Sequence, residues 1–161
     1  MQEARELPKN EQISLRVATE EDAAILFAWR NEPTTRSMFF SQEEVDWDSH
    51  VRWLGKVLQD PAETPLVGQC DGTPIGIVRF GRSNAGITVS LTISPEHRNK
   101  GYGRRLLHEG LATFRKSNPD SAFLAAVRVE NLASLRVFQA CGFAEMSRDD
   151  VAVLLACAAE K

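Results

Sequence analysis

Residues 98–105, Arg98-Asn99-Lys100-Gly101-Tyr102-Gly103-Arg104-Arg105, gather the groups of this chain best suited to hold an anion. A strand-like apolar run with Leu91 and Ile93 stops at Pro95 just before them. A helix-like run of Leu106, Leu107, Leu111 and Phe114 begins just after. A helix starting there directs backbone N–H groups with no intrahelical partner at the loop, among four cationic side chains. Gly101 and Gly103 let the main chain approach a ligand closely, because no Cβ stands in the way. The chemistry this suits is the cradling of a pyrophosphate. A dinucleotide fingerprint is excluded, since its third glycine falls on Leu106, and no Gly-Lys-Ser/Thr of a Walker loop follows. Read alone, the loop is equally consistent with a tight turn.

A second segment breaks that tie. Asn131-x-x-Ser134, then Phe138, then Gly142-Phe143 follow the apolar stretch Phe123 to Val129. With Arg98-x-x-Gly101-x-Gly103 ahead of it, this segment resembles the GCN5-related N-acetyltransferase (GNAT) family, over residues 13–157. The resemblance implies an α/β protein with the acyl-CoA N-acyltransferase fold, a mixed sheet covered by helices on both faces. It also implies an enzyme that uses acetyl-CoA to acetylate a primary amine. In such a protein the main chain of Arg98, Asn99, Lys100, Gly101, Tyr102, Gly103 and Arg104 wraps the pyrophosphate. Leu91, Thr92 and Ile93 pair with the pantetheine arm through main-chain groups, and Asn131, Ser134 and Phe138 flank it.

The chain departs from the family pattern at Phe138, where many members carry a tyrosine that protonates the departing thiolate. Tyr102 is the sole tyrosine, at the other end of the cofactor. Ser134, one turn earlier on the same helix, is the candidate substitute acid, with helix packing as its plainer reading. Thr88, Ser90 and Thr92 share one strand face and suit a water that relays the amine's proton. His50 is the candidate base and Glu44 lies in the same segment; for each, a solvated surface residue is the plainer reading.

The acceptor side is expected in residues 28–58. Trp29-Arg30-Asn31-Glu32-Pro33, Met38-Phe39-Phe40 and His50-x-x-Trp53-Leu54 resemble a subgroup that includes the N-acetyltransferase of pseudaminic acid biosynthesis, and more weakly the ribosomal-protein acetyltransferases. That implies a nucleotide-linked amino sugar as acceptor, with Arg30, Arg36, Met38, Phe39 and Trp53 offering cations and aromatic surface. A peptide, protein or other small amine is the alternative acceptor, and a non-catalytic acyl-CoA sensor the alternative function.

These groups need elements to position them. With 161 residues the chain is expected to form one domain over 13–157, preceded by an extension at 1–12. Ile13, Leu15 and Val17 alternate as a half-buried strand does. Thr19 caps a helix that ends before Pro33. A loop bearing Met38, Phe39 and Phe40 leads to a second helix over 48–58. Asp71-Gly72-Thr73 joins two strands in a hairpin. The expected order is β-α-α-β-β-β-α-β-α-β-β.

Composition sets the remaining bounds. A net charge of −3 argues against general nucleic-acid binding. No apolar run nears the ~20 residues of a membrane span, and Met1 to Glu11 has no signal-peptide core. Cys70, Cys141 and Cys157, odd in number and widely spaced, suggest neither a disulfide framework nor a metal site. A cytoplasmic protein with a small-molecule amine substrate is expected, and the family allows a homodimer.

Overall fold

A computed structural model of the chain describes residues 11–159, so most of the expected extension at 1–12 lies outside the described residues. One mixed sheet contains β1 (Ile13–Val17), β2 (Glu63–Cys70), β3 (Thr73–Ser83), β4 (Gly86–Ile93), β5 (Phe123–Arg128), β6 (Ala144–Arg148) and β7 (Ala152–Cys157). Its spatial order is β1-β2-β3-β4-β5-β7-β6, as the acyl-CoA N-acyltransferase fold requires. The pair β4–β5 is parallel and every other neighbouring pair is antiparallel. The helices among the described residues are α1 (Ala23–Asn31), α2 (Pro33–Met38), α3 (Trp47–Gln59), α4 (Tyr102–Ser117) and α5 (Leu132–Ala140), with single 3-10 turns at Glu20–Asp22 and Pro95–His97.

Local chemistry explains most of these boundaries. Asp71 and Gly72 both adopt positive φ, 49° and 83°, in the tight β2–β3 turn, and that twist suits a two-residue hairpin connection. Asp46 starts α3 by accepting the Ser49 N–H at 2.9 Å. The first helix stops at Asn31, as the proline rule demands, but the segment after it is not the expected loop. Pro33 opens the additional helix α2, because the first helical position needs no N–H donor. Glu32 caps it, its carboxylate accepting the Thr35 N–H at 2.9 Å.

The two faces of the sheet differ. On one face α4 lays down Leu106 and Leu107, both fully buried, over a core in which Phe80 stacks on Phe114 at 4.4 Å and meets Phe123 edge-on at 5.9 Å. Removing the Phe80 ring would cost about 3–5 kcal/mol, for lost burial and for the cavity left behind. On the other face Leu26, Trp29 and Leu54 of α1 and α3 pack over Ile77 of β3. These helices do not extend across the sheet. Thr88 and Ser90 of β4, Ala126 of β5 and Leu154 of β7 stay exposed on that face.

Candidate active site

The strands β4 and β5 are in register at two positions only, Ile87 with Phe123 and Thr88 with Leu124. Beyond these β4 runs on to Ile93 and β5 to Arg128 with no further pairing, so an opening separates them. Ile87 donates its N–H across this edge to the Ala122 carbonyl at 2.9 Å. Main-chain groups of alternate residues face the same edge of a strand, so Leu91 and Ile93 turn their N–H and C=O groups into the opening. Thr92 does not. It sits opposite Ile77, and its main chain serves the β3 edge. Of the three strand residues expected to meet the cofactor by main chain, Thr92 instead presents its side chain to the open face.

The cradle lies at the end of this opening. Ser94 Oγ and His97 Nδ1 are hydrogen-bonded across the 3-10 turn that leaves β4. Asn99 then takes φ 60° and Gly101 φ 82°, and Gly101 becomes the N-cap of α4. The N–H groups of Tyr102, Gly103 and Arg104 begin the helix and have no carbonyl one turn back. A Cβ placed on Gly103 would stand 3.5–3.6 Å from Val137, Ile93 and Leu91, so loop, strand and α5 converge there.

Lys100 and Arg104 are exposed beside these amides. Two of the expected cations are committed elsewhere. Arg98 Nη2 donates to Glu32 Oε2 at 2.8 Å and to Thr35 Oγ1, and Arg105 donates to the Glu11 carbonyl at 2.9 Å. The Tyr102 side chain is buried too. Its Oη donates to Glu11 at 3.0 Å and accepts from the Cys70 thiol, and burial raises its pKa well above the usual phenol value. Arg98 and Tyr102 therefore offer the cradle main chain rather than side chains.

On the far side of the opening, Asn131 caps α5 by accepting the Ser134 N–H at 3.2 Å. Ser134 is half-buried, and it is the one hydroxyl residue in α5. Phe138 is 2% exposed and meets Phe143 edge-on at 5.0 Å, so its ring belongs to the core.

Register assigns the open face. Residues directly opposite across a pair point to one side of the sheet. Glu63 lies opposite Gly81, Gly81 opposite Thr88, and Arg79 opposite Ser90. Thr88 is in register with Leu124 of β5, so Leu124, Ala126 and Arg128 share that side. The opening is thus flanked by Ser90 and Arg79 on one edge and by Ala126 and Arg128 on the other. Thr88 Oγ1 donates to the Gly81 carbonyl at 3.1 Å.

The residues expected around the acceptor fare unequally. His50 is 3% exposed and donates Nε2–H to the Ala23 carbonyl at 2.9 Å, enclosed by Phe27, Trp47 and Trp53. Burial pushes its pKa down, and its enclosure with Nε2 committed to Ala23 gives it a packing role, not that of a base facing a substrate. Arg30 donates through Nη2 to the Ser41 carbonyl at 2.8 Å and lies 4.1 Å over the Phe39 ring, while its buried Nη1 has no hydrogen-bond partner among the described residues. Met38 is half-buried at the end of α2, and Glu44 is exposed and paired with Arg36 at 3.7 Å. Trp53 reaches the open face, beneath Arg79.

The acetyltransferase (GNAT) family matches residues 23–143. The chain belongs to that family. It is an N-acetyltransferase acting on amines, with acetyl-CoA as the acetyl donor. Spermidine N(1)-acetyltransferase of Vibrio cholerae is 27% identical over 141 residues, covering 84% of this chain and 81% of that protein. The L-amino acid N-acyltransferase MnaT of Escherichia coli is 29% identical over 139 residues, with coverages of 81% and 79%. The fold is shared with the crystal structure of the Vibrio cholerae spermidine N-acetyltransferase with CoA and spermine. The TM-score is 0.83 at 22% identity, over 91% of this chain and 95% of that one. A putative acetyltransferase, yncA of Salmonella typhimurium, with acetyl-CoA, gives 0.74 at 22% identity over 92% and 95%.

The residues of this acetyltransferase fit the donor. Unpaired strand groups of Leu91 and Ile93 suit the amides of a pantetheine arm, and the start of α4 with Lys100 and Arg104 suits a pyrophosphate. Arg79, Glu63 and Arg128 escaped the sequence reading. Each stands in a strand among apolar neighbours and reads there as an ordinary solvent-facing residue; only the register across four strands brings them to one opening.

Proposed function

We propose that this acetyltransferase moves the acetyl group directly to the primary amine of a small molecule, the amine arriving on the open face of β4 and β5. The observation that carries this reading is the two-position β4–β5 pair, which leaves one gap reachable from the cradle and from the open face. Acetyl-CoA supplies an acyl group already activated as a thioester. Holding two reactants at one gap can contribute several kcal/mol by itself. Leu91 and Ile93 supply fixed main-chain donors there, which do not have to reorganise as charge develops. The hydroxyls of Ser90 and Thr92 hold the water that takes the amine's proton. Ser134 is the group on α5 able to give a proton, since Phe138 has none to give.

Direct transfer is favoured because each of the three thiols is already engaged, with Cys70 and Cys157 buried. Cys70 lies against Tyr102, Cys141 donates to the Arg104 carbonyl, and Cys157 accepts from Arg115 at 2.8 Å. The names of the relatives, a spermidine and an L-amino acid enzyme, favour small free amines over the nucleotide-linked amino sugar.

Calorimetric titration with acetyl-CoA, followed by a thiol-release screen over amino acids, polyamines, amino sugars and short peptides, tests this reading. Binding with release on a free small amine is expected. Binding with no release on any amine would favour a sensor, and absence of binding would remove the cradle.

A further inference from the structure

We infer that the acceptor carries an anionic group, a carboxylate close to its reactive amine, and that Arg79 is the residue that selects it. This rests on the amine site proposed above. Arg79 sits in β3 directly opposite Ser90, one strand from the edge of the opening, and its side chain is on the open face. Neighbouring strands lie ~4.8 Å apart, so a guanidinium at this position reaches a group only a few bonds from an amine at the gap. Its Cζ lies 5.3 Å from the Trp53 ring centroid, a cation–π contact that holds the guanidinium over the ring.

The fork is oriented as well as placed. Arg79 Nε faces Glu63 Oε2 at 3.6 Å, a loose ion pair that turns the Nε edge away from the gap. No hydrogen bond occupies its Nη groups among the described residues. Glu63 gains this approach because its cross-strand neighbour is Gly81, which has no side chain to block it. The arrangement leaves a planar pair of donors at the surface with the geometry that binds carboxylates bidentately. Arg128 stands on the other edge with its side chain 17% exposed, its Nε without a hydrogen bond and 3.4 Å from Glu130. An amino acid, with amine and carboxylate a short distance apart, matches both the charge and the spacing.

The test compares amines that differ only in the acid. Wild-type protein is assayed with L-amino acids, the corresponding carboxamides, and spermidine. The acids are expected to exceed their carboxamides in kcat/KM by at least tenfold, mainly through KM, with spermidine poorer still. Arg79→Gln should erase the preference for the acid while leaving the acetyl-CoA dissociation constant unchanged, and Arg79→Lys should recover part of it. Carboxamides or spermidine used as well as the acids by wild-type protein, or an acid preference intact in Arg79→Gln, would overturn the inference. So would turnover confined to amines without an acid. The wild-type comparison decides even if a variant folds poorly. Failure to bind acetyl-CoA would instead strike the underlying reading, so the two failures are told apart.

Discussion

Arg98 Nη2 lies 2.8 Å from Glu32 Oε2, joining residues 66 positions apart and tying the phosphate loop to the start of α2. Thr35 completes the link: it receives a bond from Arg98 and donates its own hydroxyl to Glu32 at 3.0 Å. The same carboxylate therefore caps α2 and holds the loop proposed to cradle the cofactor. Arg98 acts here as a brace for the loop, and Lys100 and Arg104 remain as the exposed cations beside it.

This brace has a pH signature. The Arg98 guanidinium first, with the N–H groups of Thr34 and Thr35, holds the Glu32 carboxyl down to about 2. A lowered carboxylate pKa means the folded state binds the proton less readily than the unfolded one. The stabilisation is therefore complete above the ordinary carboxylate range and is lost as pH falls from about 5 toward 2. Glu32→Gln should lower stability at pH 7 by about 1–2 kcal/mol and flatten the acid limb of the melting-temperature curve. Parallel acid limbs in the two proteins would show that another carboxylate is titrating.

Gly101 is the second sensitive point. Its φ of 82° lies where side-chain-bearing residues are strained by roughly 1–2 kcal/mol, and an aspartate there adds negative charge beside the unpaired amides of α4. Gly101→Asp is expected to raise the acetyl-CoA dissociation constant at least tenfold, with a modest loss of melting temperature. An unchanged constant by calorimetry would mean that the pyrophosphate lies elsewhere.

His50 separates a core role from a catalytic one. His50→Phe keeps the aromatic packing against Phe27, Trp47 and Trp53 but removes the side-chain donor to the Ala23 carbonyl, which keeps its helical acceptor role. A loss of about 0.5–1.5 kcal/mol in denaturant unfolding should follow, with kcat and its pH profile unaltered. A fall of a hundredfold in kcat in a well-folded variant would return His50 to the chemistry.

Local signals carried far in this chain. The loop between β4 and α4, the Asp71-Gly72 turn and the strand alternation from Ile87 to Ile93 each depend on neighbours within a few residues, and each is found where the sequence places it. Pro33 shows the limit of the local view. A proline ends a helix and can also begin one, and the choice depended on whether Glu32 would cap the next turn. The bonds that engage the Arg98 and His50 side chains escaped the sequence for a different reason. Their partners, Glu32 and the Ala23 carbonyl, are distant along the chain, and no spacing rule connects them. Arg79 was invisible in the same way, since its meaning comes from Trp53, Glu63 and Ser90 on three other elements.

The two-position junction between β4 and β5 makes the sheet two sheets joined at a seam. On one side β1 to β4 form an antiparallel ladder, with one register shift at Gly68 and Gln69, and on the other β5, β7 and β6 form a second. The Leu91 and Ile93 amides at the seam's open end have no ladder partner, so they should exchange hydrogen for deuterium sooner than their neighbours bonded to β3. A ligand arm lying in the seam would act as a missing strand. Its binding should then be read as slowed exchange at these two amides, a local report of occupancy that needs no turnover at all.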